Sequence, residues 1–159
     1  MTRKLAVALA SVALIAGLSA CKTSGLALTS KGQVMHVDID VPTDLSEGQT
    51  EELVVQVGNR GVNNIGNVVF QVEMPNELIV LSSVPSGGLD PSETVSPSGG
   101  RMYVYRAREL HPTNSATVRY HVRAAFGSLD RSGDIKVTAW SDDLPGDKLV
   151  ETKYVKLRS

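Results

Sequence analysis

From Ala116 to Arg123 the chain alternates strictly, with Ala116, Val118, Tyr120 and Val122 on one side and Thr117, Arg119, His121 and Arg123 on the other. A strand points successive side chains to opposite faces, so this period of two specifies a strand with one face on a core and one in water. The same period recurs along most of the sequence in short runs separated by turn residues, the pattern of an all-β sandwich or barrel. Val34, His36, Asp38 and Asp40 alternate with Met35, Val37, Ile39 and Val41, and Pro42 closes the run. Glu51 to Gly58 presents Leu53, Val55 and Val57 inward, then gives way to the turn residues Asn59-Arg60-Gly61 and Asn63-Asn64. Gly66 to Met74 alternates Val68, Phe70 and Val72 with Val69, Gln71 and Glu73, and the period does not say which set is inward. Leu78 to Leu81 makes a short run after Pro75.

Ser82 to Gly100 is crowded with Ser, Gly and Pro and reads as a long loop, with a short edge strand about Glu93 to Val95. Strand character resumes at Arg101 to Ala107, where Met102, Val104 and Arg106 oppose Tyr103 and Tyr105. The last two runs, Asp134 to Ser141 and Lys148 to Leu157, flank the turn-rich segment 142–147 and form a hairpin. Eight or so short strands predict an immunoglobulin-like antiparallel β-sandwich of about 7–9 strands. An open barrel is the alternative architecture. The apolar residues are mostly β-branched and aromatics are few, which suits pleated packing.

The amino terminus is of a different kind. Arg3 and Lys4 precede a stretch from Leu5 to Ala20 that no charge interrupts, the layout of a secretory signal peptide. The stretch falls short of the roughly 20 apolar residues a spanning helix needs, and Lys22, Thr23 and Ser24 follow at once. At its end, Leu18-Ser19-Ala20-Cys21 resembles the lipobox of bacterial lipoproteins. That resemblance implies cleavage before Cys21, acylation of its thiol and of the new amino terminus, and stable attachment to a membrane without spanning it. An Asp after the cysteine commonly implies inner-membrane retention in such families. Lys22 stands there instead, so the outer membrane is expected, on its periplasmic or surface face. An ordinary soluble secreted protein is the competing reading.

Removing the first 20 of 159 residues leaves 139, the size of one domain, and takes Arg3 and Lys4 with it, moving the net charge from −1 to about −3. Mild acidity argues against a nucleic-acid partner. Cys21 is the only cysteine, so no intrachain disulfide can form and the core alone must hold the fold. The expected organisation is a leader over 1–20, a Ser/Thr/Gly/Lys-rich tether over 21–32 and a sandwich domain over 33–159.

Within that domain, Glu47 to Val80 is similar to the conserved-repeat surface β-sandwich family, filed as a domain of unknown function (number eleven), and to related bacterial adhesion-type domains. Gly48 before a strand, the Asn59-Arg60-Gly61 turn, the Val68 to Val72 strand, and Pro75 with Leu78 carry the resemblance. Positive φ at Asn and Gly is the expected reason for that turn. The resemblance implies a surface or periplasmic binding module, although this chain holds one copy where tandem copies are common.

Three clusters carry potential chemistry. His36, Asp38 and Asp40 share a strand face at two-residue spacing and could converge on a metal, but a half-exposed polar face reads the same way and is preferred. Asp142, Asp143 and Asp147 offer oxygens suited to calcium without the spacing of a helix-loop-helix calcium site, so a solvated hairpin loop is preferred. Arg119, His121 and Arg123, joined by Arg106 and Arg108 if their strand is a neighbour, form a basic stripe for anionic lipid, polysaccharide or an acidic protein; a solvated sheet face is preferred. No nucleophile elbow, free thiol or phosphate loop is present, and His36, His111 and His121 are scattered, so no catalytic residue, metal ligand or cofactor is assigned. Trp140 reads as a core or rim aromatic, with a carbohydrate contact as the alternative.

The expectation is a non-catalytic binding or structural module, tethered to a membrane through lipid on Cys21, with an envelope protein or polysaccharide partner. An assembly subunit docking by sheet-edge pairing is the first alternative, favoured by a long uncharged edge strand. An exposed cluster of Trp140, Tyr103 and Tyr105 would favour a glycan binder. A metal-dependent hydrolase using His36 and nearby aspartates is the second alternative.

Overall fold

A computed structural model of the chain describes residues 34–86, 89–95, 100–127, 132–144, 146 and 148–158, and for 90–95 it describes the backbone alone. The expected leader over 1–20, Cys21, the expected tether over 21–32 and Asp147 lie outside the described residues. Among those described, ten strands form: β1 (Met35–Asp40), β2 (Asp44–Ser46), β3 (Thr50–Asn59), β4 (Ile65–Met74), β5 (Leu78–Pro85), β6 (Leu89–Val95), β7 (Arg101–Leu110), β8 (Ser115–Ala124), β9 (Ser132–Ser141) and β10 (Leu149–Arg158). They build a four-stranded sheet in the order β1-β3-β8-β5 and a six-stranded sheet in the order β2-β10-β9-β4-β7-β6. Two packed sheets make an all-β, immunoglobulin-like sandwich, not a barrel. Neighbours are antiparallel except β2, which lies parallel to β10.

The alternating residues meet between the sheets. Leu53, Val55, Val57, Val118, Tyr120 and Val122 from one sheet face Val68, Phe70, Val72, Ile135, Val137 and Ala139 from the other, all fully buried. Each Val, Leu, Ile or Phe among them contributes about 1.5–3 kcal/mol relative to exposure, and no disulfide supplements them. Four rings gather at the centre: Phe70 stacks on Tyr105 at 5.1 Å, and Tyr120 meets Tyr103 at 5.5 Å and Tyr105 at 6.3 Å. Burial first, and Tyr105 second, push the Tyr120 phenol far above its usual range, so it stays protonated.

The segment 82–100 is not one loop. The run begun at Leu78 extends to Pro85, with a register shift between Val80 and Ser82, and the expected edge strand begins at Leu89 rather than near Glu93. β1 and β2 straddle the sandwich: β1 pairs with β3, the chain bends at Pro42 and Thr43, and β2 pairs with β10 in the opposite sheet. The Lys156 N–H donates to the Thr43 carbonyl at 2.9 Å across that switch.

The described residues begin at Val34, whose carbonyl accepts from the Arg60 N–H at 2.7 Å. Beside it, buried Asn59 donates through Nδ2 to the carbonyls of Asn63 (2.8 Å) and Leu110 (2.9 Å), while its Oδ1 accepts from the Gly61 N–H (2.8 Å). This corrects the expected role of Asn59-Arg60-Gly61: positive φ occurs at Gly48, Asn67, Thr113, Gly127 and Gly146, not in that turn. The asparagine works through its side chain, closing an Asx turn and holding two neighbouring loops.

Candidate functional site

The four-stranded sheet ends in two edges of opposite chemistry. At β1, Asp38 and Asp40 are exposed, while His36 is largely shielded, its ring lying on the Gly58 backbone of β3. A Cβ at Gly58 would stand 2.0 Å from the ring carbon Cε1, so glycine makes room for the imidazole. His36 Nε2 lies 3.6 Å from Asp38 Oδ2. Desolvation first, and the Arg60 guanidinium second, hold the imidazole below its ordinary value, against the opposing pull of Asp38. A groove of about 960 Å³ runs along this edge, and Asp38, Asp40, Glu52 and Glu151 outnumber Arg60 and Lys153 among its charged lining.

At the other edge, β5 reads Leu-Ile-Val-Leu-Ser-Ser-Val-Pro and carries no charge. Its residues 81–84 are exposed, Leu81 at 49% and Val84 at 58%. Edges normally carry charges, Pro or bulges that discourage pairing with another strand. β1 has its aspartates, β2 is three residues long, and β6 contains Asp90, Pro91 and Glu93. β5 has a bulge and a terminal Pro85, with Ser82, Ser83 and Val84 between them in regular register against His121, Tyr120 and Arg119.

The other candidates are dispersed. Among the described residues no three His, Cys, Asp or Glu side chains gather at metal-ligand spacing. Asp143 accepts from the Gly66 N–H at 2.9 Å and its own N–H donates to Ser141 Oγ, so it fastens the β9–β10 turn to β4. The basic stripe is split: Arg106 and Arg108 lie on β7 in the six-stranded sheet, whereas β8 neighbours β3 and β5. On β8, Arg119 donates to Glu52 at 2.9 Å and His121 Nε2 lies 3.8 Å from the same carboxylate. The aromatic cluster does not form either, since Tyr103 and Tyr105 face the core while half-buried Trp140 lies on the outer face of its sheet under Lys148, 5.7 Å from the ring centre. The Asn59 clamp and the second half of β5 were not singled out by sequence reasoning. The Asx spacing and the lack of charge from Leu78 to Pro85 were the signals available.

No protein-family model matches the chain, and no curated protein matches it. Solved structures do. A cohesin module from a Clostridium perfringens family 33 glycoside hydrolase is 14% identical, with 80% of this chain and 98% of that one covered at a TM-score of 0.59. A type I cohesin from a Clostridium thermocellum cohesin–dockerin complex is 13% identical, with 81% and 96% covered at 0.55. AvmM, which catalyses macrocyclization in alchivemycin A biosynthesis, is 15% identical, with 80% and 90% covered at 0.53. At such identities the likeness is one of fold. A sandwich of this kind is similar both to binding modules and to an enzyme, so function must be argued from the site.

Proposed function

We propose that the chain is a lipid-anchored envelope lipoprotein, with a leader over 1–20, lipid on Cys21, a tether over 21–32 and one sandwich domain over 33–159, acting as a non-catalytic binding module. The basic-then-apolar leader ending in Leu18-Ser19-Ala20-Cys21 supports the anchor, and Lys22 favours the outer membrane. The cohesin of a cohesin–dockerin complex lends fold-level support to a protein-binding role.

The uncharged edge of β5 favours one form of this reading, in which an envelope protein docks by adding a strand there. Main-chain hydrogen bonds would supply affinity, and the exposed Leu81 and Val84 side chains specificity. The test combines two measurements in intact cells. Wild type should incorporate radiolabelled palmitate and sediment with membranes, and Cys21→Ala should do neither. A photo-crosslinking residue at Val84 should yield a discrete adduct, and one at Asp38 should not. A Cys21→Ala chain that stays labelled and membrane-bound defeats the anchor; adducts at neither position, or only at Asp38, defeat docking at β5.

A further inference from the structure

The outer face of the six-stranded sheet carries a feature that docking at β5 leaves unused. In register across it, Trp140 of β9 lies beside Val69 of β4, and Val69 beside Arg106 of β7. The Arg106 and Trp140 backbones are thus two strand spacings, about 10 Å, apart. Arg108 follows two residues along β7 on the same face. Lys148 stands at the other side, over the Trp140 ring.

Two adjoining grooves flank this row. One, of about 390 Å³, is lined by Trp140, Leu144 and Lys148; the other, of about 460 Å³, by Asn67, Val69, Arg106 and Arg108; Asp142 lines both. Asn67 has φ 50°, a conformation rare outside glycine, and the ladder to β7 passes from Gly66 to Val68 without it. Arg106 and Arg108 are exposed and make no ion pair among the described side chains, Asp90 standing opposite Arg106 in the β6–β7 register, whereas Lys136, Arg119 and Arg158 pair with Glu73, Glu52 and Asp44. Of the facing acids, Asp143 is held by the Gly66 N–H, which leaves Asp142 as the one exposed carboxylate lining the grooves among the described side chains.

From this arrangement we infer a binding site for an anionic polysaccharide, with a sugar ring packed at Trp140 and its acidic groups toward Arg106, Arg108 and Lys148. An aromatic face suits the apolar side of a pyranose once the flexible Lys148 side chain over it moves aside toward an acidic group. Planar guanidinium groups suit carboxylate, sulfate or phosphate oxygens. Asp142 can accept a hydrogen bond from a sugar hydroxyl. Trp140, Arg106 and Arg108 stand around a buried Val69 with grooves on both sides, an arrangement spread along the sheet that suits an extended polymer better than a small ligand enclosed in one pocket.

Trp140 is the only tryptophan in the chain, so its fluorescence reads this site directly. The full chain is titrated with polygalacturonate oligosaccharides, with dextran oligosaccharides of equal length as the neutral control. The expected result is a saturable change with polygalacturonate alone, weakened about tenfold when NaCl rises from about 50 to 500 mM and by a similar factor in Arg106→Ala/Arg108→Ala. An Arg119→Ala/Arg123→Ala variant, altered on the opposite sheet, should titrate like wild type. No change up to about 1 mM, an equal response to dextran, or a β7 double variant indistinguishable from wild type overturns the inference. So does a response to phosphatidylglycerol vesicles with none to polygalacturonate, which would make this face a membrane contact. None of these outcomes bears on docking at β5, which is read by crosslinking at Val84.

Discussion

β1 and β5 close the same sheet on opposite sides, yet one presents charges to a further strand and the other only a bulge and a terminal proline. β1 presents Asp38 and Asp40, seats His36 on Gly58, and leads through Pro42 into a strand of the opposite sheet. β5 presents Leu81, Ser82, Ser83 and Val84 without a charge. A monomer under pressure only to stay soluble has reason to protect both edges equally. The asymmetry teaches that charge protects one side of the sheet alone, which is the feature the proposed docking at β5 relies on.

The strongest way to break the comparison lies at β1. Gly58→Ala places a methyl group where the His36 ring sits, and should cost about 2 kcal/mol in denaturant unfolding. An unchanged midpoint would show that the ring swings out freely and that β1 is not seated as described. A smaller effect is expected from pH. Because the folded state holds the His36 value below its ordinary 6.5, the unfolded chain binds the proton more readily. This contribution to stability is therefore complete above about pH 6.5 and lost as pH falls below it. Thermal melts of wild type and His36→Gln should diverge on acidification, wild type losing more; parallel curves would remove His36 from the account. The smallest effect is expected at β5, where Val84→Lys should leave stability within about 0.5 kcal/mol while abolishing the crosslinked adduct formed from the adjacent Ser83 position. A large loss of stability would mean that Val84 is structural and the edge not free.

The sequence made the core strands plain, because Leu53 to Val57 and Ala116 to Val122 are each half-buried and so alternate cleanly. It hid what is not half-buried. Residues 81–84 of β5 are exposed on both faces, so no period marks them, and β2 is too short to show one. Arg106 and Arg108 stand on the strand consecutive to that of Arg119 and Arg123, but β7 and β8 belong to different sheets, a matter of long-range pairing that local pattern does not encode. The same crossing separates Trp140 from the two tyrosines. The Asn59-Arg60-Gly61 pattern points to a backbone conformation, whereas the Asn59 side chain does the holding.

The parallel pairing of β2 with β10 sets residues 44–46 against 156–158. A sheet completed by such distant segments closes late, since loop entropy must be overcome before the contact forms. A chain made from its amino terminus onward therefore cannot finish this sandwich until residue 158 has emerged. Until then ten-residue β9 is that sheet's open edge in place of three-residue β2, so the unfinished chain presents a longer unpaired strand than the folded protein does.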